Sequence, residues 1–477
     1  MKILLINPPY DIKKYMGRHL GRIGWVLFPT GLLYIASMLE KEGKSVQVYD
    51  TQVDQRSLTE VLTVYKPDIV GITCSSSLVY STFRVAQWVK HFSERIKVVV
   101  GGVHPTVLPE EILIDSNIDM VVRGEGERTM VELVRALESN GPLEGIQGLS
   151  FRGNSGIIHN PPRPPETDLD ALPFPARHLI PMDRYHISPD WFIRRPFDRI
   201  LTARGCPYRC IFCAAQLVSG GRYRVRSIDN VMEEIDHLYQ RYKIKWLLIS
   251  DDTFVISKAR AMEFCDKYME RGYHKKIPWQ VANRVDTVDR EILSKMKEAG
   301  CFIISFGIES GVPRLLKVLN KGITIEQSIQ AVRWAKEVGL RVRATLILGI
   351  PTETREESLK TIKFAQSLPL DQVRFALATP FPGTQLYQMA MEEGQLKVGD
   401  WTSLSLMAGY RNGKLAYVPK GRDEKELKIL QRRANLGFYL QPRIILSYLK
   451  QMRSLKDMGR ITFGLWEFGK ASLAKYR

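Results

Sequence analysis

The sequence has few cysteines and no long apolar runs, and both absences narrow what the protein can be. Its 477 residues include six cysteines, too few for a disulfide scaffold, which fits a reducing compartment. No run reaches the roughly 18 apolar residues of a transmembrane helix. The N-terminus lacks the apolar core and small-residue cleavage site of a signal peptide. We therefore expect a cytoplasmic protein without a membrane span.

Acidic residues are scarce relative to basic ones. Lys plus Arg number 69 and Asp plus Glu 51, which gives a net charge of +18. An excess of this size favours anionic partners such as nucleic acid, phosphorylated substrates, a nucleotide-tailed cofactor or an acidic membrane surface, without choosing among them. The 44% hydrophobic content is ordinary for a globular protein, and the length predicts two or three domains.

Residues 1–145 predict a Rossmann-like (flavodoxin-like) α/β domain. Continuous apolar runs alternate with amphipathic segments, as in a parallel sheet covered by helices on both faces. The predicted strands are Lys2–Asn7, Ser45–Asp50, Asp68–Cys74, Ile96–Gly101 and one that begins at Asp119–Val122. The predicted helices are Thr30–Glu42, Leu58–Tyr65, Thr82–Phe92 and Glu127–Ser139.

A proline-rich linker (146–194) leads to a second β-α series (195–400). Seven prolines fall within residues 160–181, and proline disfavours regular structure at and before its position. Six strands with helical crossovers then predict a partial (β/α)6 barrel. The predicted strands are Arg199–Ala203, Trp246–Ser250, Trp279–Ala282, Phe302–Ile308, Arg343–Leu348 and Val373–Ala378.

The C-terminal extension (401–477) is basic and aromatic. Residues 421–477 hold 13 Lys plus Arg against 5 Asp plus Glu, a net charge of +8. Its aromatic residues are Phe438, Tyr439, Tyr448, Phe463, Trp466 and Phe468. We expect a helical cap on the barrel. A peripheral membrane surface and a nucleic-acid contact remain alternatives.

Three of the six cysteines, Cys206, Cys210 and Cys213, form a C-x3-C-x2-C motif. Three thiolates at this spacing can point at one centre, and soft thiolates suit an iron–sulfur cluster or zinc. A closed zinc site needs a fourth ligand, and none lies at ligand spacing, although His178 or His186 could reach. The remaining cysteines, Cys74, Cys265 and Cys301, are isolated, and we expect Cys265 and Cys301 to pack in the core.

The motif, with Phe212 before its last cysteine and a barrel strand before it, resembles the radical S-adenosylmethionine (SAM) superfamily. The resemblance implies a [4Fe–4S] cluster on Cys206, Cys210 and Cys213, with one iron open to chelate SAM. It also implies SAM contacts at the ends of later strands. Asp251 and Asp252 would meet the amino group, Arg284 the carboxylate, Glu309 and Ser310 the ribose, and Gly349 the adenine, with Phe212 nearby.

Motifs in the first domain narrow the resemblance. They are Asn7–Tyr10 (NPPY), Pro29–Leu33 (PTGLL), Gly101–Pro105 (GGVHP) and Arg123–Glu127 (RGEGE). Together they resemble the cobalamin-binding radical SAM enzymes, particularly the anaerobic magnesium-protoporphyrin IX monomethyl ester cyclase group. The implied cobalamin contacts are Thr73, Ser75, Ser76, Gly101, Gly102, His104, Gly124, Glu125 and Gly126. Ligands of such sheets bind beyond the carboxyl ends of the strands, where glycine permits close backbone approach.

The sequence departs from many cobalamin proteins in having no Asp-x-His-x-x-Gly motif for a lower cobalt ligand. His104 lies in another context, so we do not assign it that role. The resemblance instead implies that a residue of the Cys74–Tyr80 loop faces the lower side of cobalt. Loss of cobalamin binding is the alternative.

The resemblance implies cleavage of SAM to a 5′-deoxyadenosyl radical and methylation of an unactivated carbon. A non-methylating reaction, such as cyclisation or rearrangement of a lipid, isoprenoid or tetrapyrrole, is the first alternative. A basic nucleic-acid-binding protein with structural zinc is the second, and it leaves the motifs of the first domain unexplained. We expect an amphiphilic or anionic small-molecule substrate and a flavodoxin or ferredoxin as electron donor. Peripheral contact at the inner membrane face through the C-terminal extension is a further expectation.

Overall fold

The structure is a computed structural model that describes residues 1–13, 17, 19, 26–154, 156–187, 193–397, 401–410 and 414–449. It also describes residues 459, 462–464, 466–467 and 469–470. Within these residues the strands form a seven-stranded sheet, a six-stranded sheet and a two-stranded hairpin. Helices connect successive parallel strands within both larger sheets, which confirms the predicted α/β class.

The first sheet has the strand order β2-β1-β3-β4-β5-β6-β7. Its strands are β1 (Lys2–Asn7), β2 (Ser45–Asp50), β3 (Ile69–Thr73), β4 (Lys97–Gly101), β5 (Met120–Val122), β6 (Leu149–Gly153) and β7 (Gly156–His159). Its helices are α1 (Thr30–Lys41), α2 (Leu58–Tyr65), α3 (Val79–Phe92), α4 (Val103–Val107), α5 (Pro109–Leu113) and α6 (Gly126–Ser139). The first five strands are parallel, which confirms the doubly wound prediction.

The first sheet continues past residue 145, where the sequence analysis places the linker. β6 and β7 add as an antiparallel hairpin to the edge of β5. Leu149 and Phe151 of β6 are buried in the same core as β1 and α1. The alternation of buried and exposed residues in this hairpin is short, and the prolines that follow obscure it.

The second sheet has the order β15-β14-β13-β12-β11-β8, with all neighbours parallel. Its strands are β8 (Phe197–Ile200), β11 (Trp246–Ile249), β12 (Trp279–Asn283), β13 (Cys301–Glu309), β14 (Arg341–Leu348) and β15 (Gln372–Leu377), while β9 (Ala203–Arg204) and β10 (Arg224–Val225) form the separate hairpin. The end strands β8 and β15 do not pair with each other, which confirms the partial barrel.

Helices connect or flank the strands of this barrel. They are α7 (Ala215–Ser219), α8 (Ile228–Tyr242), α9 (Lys258–Glu270), α10 (Arg290–Glu298), α11 (Pro313–Val318), α12 (Ile325–Glu337), α13 (Arg355–Ser367) and α14 (Gln385–Glu392). Side-chain caps fix several starts; Thr324 and Thr354, for example, each form a capping box with the residue three positions on. Cys265 and Cys301 are buried in the core between helices and sheet, as expected.

The two sheets share a hydrophobic core rather than merely touching. One cluster of buried side chains joins Phe28 and Leu33 near α1 to Phe197, Trp246 and Leu248 on the inner face of the barrel. The proline-rich segment runs along this boundary and inserts Arg177, which is buried and pairs with Asp198 and with Glu234. The carboxyl ends of both sets of strands are thereby held close to each other.

The C-terminal extension contains the helices α15 (Glu424–Tyr439) and α16 (Pro442–Leu449). The side chain of Gln431 donates to the carbonyl of Phe375 at 2.8 Å, and Asn435 accepts from the Phe375 amide at 3.2 Å, so α15 covers the edge strand β15. The helical prediction is confirmed for this part; Phe468 lies outside the described residues. Among the helices of the described ranges, none has the length and apolarity to cross a membrane.

Candidate active site

The two halves of the molecule enclose a cavity of about 600 Å³ at the carboxyl ends of their strands. From the first domain it is lined by Thr73, Gly101, Gly102, Gly124, Glu125 and Gly126. From the barrel, Cys213 and Asp252 reach the same cavity. The structure thus brings six of the nine predicted cobalamin residues to the same space as one predicted cluster ligand and one predicted SAM residue.

On the first-domain side of the cavity, glycine leaves the backbone uncovered by side chains. Gly102 has φ +120°, and a Cβ there would lie 2.5 Å from the carbonyl oxygen of Cys74. Gly124 has φ +74° and faces open space. These conformations are strained for other residues, so the backbone itself forms the surface that a bound macrocycle would meet.

The other three predicted cobalamin residues, Ser75, Ser76 and His104, are not among the residues that line the cavity. His104 is buried, and its Nδ1 lies 3.0 Å from the Ser76 hydroxyl. Its ring meets Trp401 edge-on at 4.8 Å, and Trp401 donates to Glu111. Burial lowers the pKa of His104 to about 4, so its imidazole is neutral at physiological pH. His104 therefore packs the C-terminal extension against the loop that follows β3.

The cysteine loop is fixed by contacts from the turn that follows α11. The Ile211 amide donates to the carbonyl of Leu319 at 3.1 Å, and the Asn320 side chain donates to the carbonyl of Arg209 at 2.8 Å. Cys206, Cys210 and Cys213 are half-buried and unbridged. The loop is held by hydrogen bonds while its three thiols stay available.

Two cations flank the thiols. The Arg284 guanidinium lies 3.7 Å from the centre of the Tyr208 ring and 4.0 Å from Cys210 Sγ. Lys321 Nζ donates to Glu309 at 2.9 Å and lies 5.9 Å from the Phe212 ring. Burial raises the pKa of the Cys210 thiol, and the charges of Lys321 and Arg284 oppose that rise. Positive charge of this kind stabilises thiolates when they bind a metal.

In the part of the chain that the structure describes, no three His, Cys, Asp or Glu side chains are arranged to hold one metal ion. An iron–sulfur cubane does not require that arrangement, because each thiolate binds a different iron. Three soft donors beside two cations fit such a cluster, and the cavity next to Cys213 leaves room for a further ligand.

The predicted SAM residues divide into two groups. Asp252 lines the cavity. Arg284 lies beside Cys210 of the cysteine loop, and Glu309 is connected to that loop through Lys321. Asp251 and Ser310 are buried in local structure. Asp251 accepts from the amides of Thr202 and Ala203 at 2.7 and 3.2 Å, and Ser310 Oγ lies 3.1 Å from both the Val312 amide and Thr361 Oγ1.

Gly349 directly follows β14 and has φ +78°. Its amide and that of Ile350 both donate to the carboxylate of Glu353. Burial raises the pKa of Glu353 to about 7. The turn that follows β14 is therefore built around a buried carboxyl group.

Comparison with known proteins identifies this arrangement. Residues 200–365 match the family model of the radical SAM superfamily, and residues 20–134 match that of the B12-binding domain. An uncharacterised methyltransferase of Pyrococcus horikoshii is 38% identical over 450 residues, which are 94% of each chain. The chain belongs to the cobalamin-binding radical SAM enzymes. Its cofactors are a [4Fe–4S] cluster, SAM and cobalamin.

Two further similar proteins match this chain at lower identity. The anaerobic magnesium-protoporphyrin IX monomethyl ester cyclase of Rubrivivax gelatinosus is 29% identical over 412 residues, covering 81% of this chain and 70% of that protein. The structure of the radical SAM methyltransferase TsrM from Kitasatospora setae, with cobalamin and a [4Fe–4S] cluster bound, aligns with a TM-score of 0.74 at 20% identity over 98% of this chain and 99% of that one. At 20% identity, this similarity shows that the two chains share a fold.

Sequence reasoning missed Lys321 and Arg204. Lys321 stands in the turn after α11, where no motif or periodicity marks it. Arg204 precedes Gly205 and Cys206, but the residue it pairs with, Glu127, lies 77 positions earlier. Only the folded chain reveals such pairs.

Proposed function

We propose that the protein methylates an unactivated carbon of a small molecule held in the cavity between its domains. The observation that carries the proposal is that Thr73 at the end of β3 and the glycine loops after β4 and β5 share one cavity with Cys213 and Asp252. A substrate there would meet the cobalamin side and the SAM side together. The radical formed from SAM would be shielded from solvent by the same walls.

When bound, the cofactors would divide the reaction between two SAM molecules and two electrons from an external donor. Reduction of one SAM breaks its C5′–S bond to give methionine and a 5′-deoxyadenosyl radical, which takes a hydrogen atom from the substrate. Cobalamin held against Gly101, Gly102 and Gly124 would supply the methyl group taken from the other SAM, which would leave as S-adenosylhomocysteine, and the second electron would restore the cofactor for the next turnover. The protein supplies positions and charge: three thiols, the Arg284 and Lys321 cations, and the glycine wall.

The test is an anaerobic reaction of reconstituted protein with SAM, a strong reductant and an extract of the source cells. We expect extract to raise 5′-deoxyadenosine and S-adenosylhomocysteine together, with a product heavier by one methyl group in mass spectrometry. A rise in 5′-deoxyadenosine alone would contradict methyl transfer.

That second result would favour cyclisation or another non-methylating radical reaction. The observation for it is the 29% identity with the Rubrivivax gelatinosus cyclase over most of this chain. Such a reaction would be identified by a product without an added methyl group, lighter by two hydrogens after an oxidative ring closure or of unchanged mass after a rearrangement.

We propose that the substrate carries an anionic group beside an apolar body. Arg199 lines the cavity, and its Nε donates to Thr30 Oγ1 at 2.6 Å. Apolar side chains of Leu201, Val218 and Met130 line the same space. Fractionating the extract on an anion exchanger tests this. The substrate, detected because it stimulates S-adenosylhomocysteine formation, should be retained on the column. Stimulation by the unbound fraction alone would exclude an anionic substrate.

A ferredoxin or flavodoxin is the proposed electron donor, since the net charge of +18 favours a negatively charged protein partner. With one of these proteins in place of the chemical reductant, 5′-deoxyadenosine formation should fall steeply as salt is raised. A rate that does not change with salt would exclude electrostatic docking of the donor.

We also propose that α16 contacts an anionic membrane surface. One face of α16 buries Ile444 and Tyr448, while Leu446 and Leu449 are more than half exposed on another face of this basic region. When anionic vesicles are sedimented at low salt, the wild-type protein should be found in the pellet. The double variant Leu446→Glu/Leu449→Glu should stay in the supernatant. Val64→Glu/Ile114→Glu, at exposed apolar positions of the first domain, is the matched control. Vesicle binding equal for both variants would exclude the contact through α16.

A further inference from the structure

The hairpin β9–β10 joins the cysteine loop to the first domain. Arg204 of β9 stands directly opposite Arg224 of β10, and Cys206 follows Arg204 after a single glycine. We propose that Arg204, Arg224, Glu125 and Glu127, here called the interdomain clamp, fix the distance between the iron–sulfur cluster and cobalamin. These are positioning residues, and the inference rests on the two cofactors of the proposed function.

The clamp is a set of short, directed ion pairs. Arg224 donates to both carboxylate oxygens of Glu125, at 2.9 and 2.7 Å. Arg204 donates to Glu127 at 2.7 Å and lies 3.5 Å from Glu125. The guanidinium of Arg204 also lies 4.8 Å from the centre of the Tyr34 ring on α1. A bidentate arginine–carboxylate pair fixes orientation as well as distance.

The clamp is largely withdrawn from water. Side-chain exposure is 14% for Arg204, 7% for Arg224, 11% for Glu125 and 9% for Glu127. The pKa of Arg204 is raised by Glu127 and Glu125, and that of Glu125 is lowered by Arg224 and Arg204, in both cases against the effect of burial. Removing one partner leaves a poorly solvated charge, so the group left behind must move.

Both ends of the clamp are attached to a cofactor site by very short segments. Glu125 and Glu127 flank Gly126, which lines the cavity and begins α6. On the other side, Gly205 has φ +89°, and a Cβ there would collide with the carbonyl oxygen of Arg222. Gly205 is the only residue between Arg204 and Cys206, and it is tightly enclosed. A shift of Arg204 therefore moves Cys206.

The clamp is not needed merely to hold the domains together. The shared core around Phe28, Phe197 and Trp246 already does so. Those contacts lie away from the cavity, whereas the clamp lies on its rim. Because reactivity falls steeply with small displacements of reacting groups, a clamp at this place controls alignment.

The test compares Glu127→Gln and Arg204→Gln with the wild-type protein, all loaded with a cluster and cob(II)alamin. The control is Glu40→Gln, which removes a carboxylate 2.9 Å from His178 at another contact between α1 and the linker. The first readout is iron and cobalamin content. The second is the broadening of the cob(II)alamin EPR signal by the reduced cluster, which depends on their separation and requires no substrate.

We expect both clamp variants to load fully, to show a weaker and more heterogeneous spin interaction, and to lose about 10- to 100-fold in methyl transfer per 5′-deoxyadenosine formed. Arg204→Lys keeps the charge and should recover part of the interaction. The Glu40→Gln signal should match the wild type.

A wild-type EPR interaction in fully loaded Glu127→Gln and Arg204→Gln would overturn the clamp. If one of these two variants fails to load, the other supplies the comparison, and the same spectrum as the wild type would again overturn the clamp. Failure of methyl transfer in the wild-type protein would contradict the proposed function and leave the EPR comparison valid, so the two failures are distinguishable.

Discussion

The two sides of the cavity are built in opposite ways. The barrel side is built from side chains: Cys213 reaches the cavity, and behind it the cysteine loop is held by long-range hydrogen bonds beside the two cations Arg284 and Lys321. The first-domain side presents backbone, with Gly101, Gly102, Gly124 and Gly126 at the strand ends. A small cluster needs particular donor atoms, whereas a large macrocycle needs an unobstructed surface. Each side should therefore fail in its own way when changed.

The largest expected effect is on the side-chain-built site. Cys206→Ala removes one of three thiolates, and we expect less than about 1% of the wild-type 5′-deoxyadenosine formation because the cluster is lost. Iron and sulfide analysis with mass spectrometry measures this. Cys265→Ala, in the core of α9, is the matched control and should keep both. Retained SAM cleavage in a reconstituted Cys206→Ala protein would exclude Cys206 as a ligand.

The backbone-built site should respond to one added methyl group. Gly102→Ala places a Cβ against the carbonyl of Cys74 at a backbone angle that alanine rarely adopts. We expect cobalamin affinity to fall at least about 10-fold, with a destabilisation of about 1–3 kcal/mol and unchanged iron content. Titration with cobalamin followed by absorbance measures the affinity. Gly437→Ala, within α15, should bind cobalamin normally; equal binding by both variants would argue against this wall.

Lys321 sharpens the comparison, since it supports the thiol side without being a ligand. Lys321→Met leaves Glu309 buried without its cation, because both side chains are about 8% exposed. We expect a loss of about 3–5 kcal/mol in the free energy of unfolding, measured in urea on the protein without cofactors. Lys321→Met/Glu309→Leu should recover most of it, whereas additive losses would show that the pair does not interact.

The smallest effect concerns Glu353 and is a pH dependence. Its pKa rises from 4.5 to about 7 on folding, so the unfolded chain loses this proton first and the folded state loses stability as pH rises from 4.5 to 7. Glu353→Gln can still accept from the amides of Gly349 and Ile350. From pH 5 to pH 8 the free energy of unfolding should therefore fall in both proteins, but by about 1–3 kcal/mol less in Glu353→Gln than in the wild type. Urea unfolding at each pH measures this. Parallel curves would contradict the buried carboxyl.

Sequence predicts most of the fold and the kinds of residue in the site, but not how they pair. The helix Leu58–Tyr65 has the predicted bounds, because a capping box and a short amphipathic pattern specify it locally. His104 and Asp251 stand in the expected motifs, yet their side chains serve packing and local hydrogen bonding. Lys321 and Arg204 act through partners that no local pattern reveals. Spacing along the chain specifies elements, whereas charge pairing depends on the folded arrangement.

The core shared by the two sheets has a consequence for engineering. Two domains that meet at a small polar interface can be exchanged between related proteins, because each keeps its own hydrophobic core. Here a cut in the linker would expose Phe28 and Leu33 on one fragment and Phe197, Trp246 and Leu248 on the other. Grafting this first domain onto another barrel would require transplanting the inner face of β8 and β11 as well. Substrate range in this scaffold is more readily altered by changing cavity residues one at a time than by recombining whole domains.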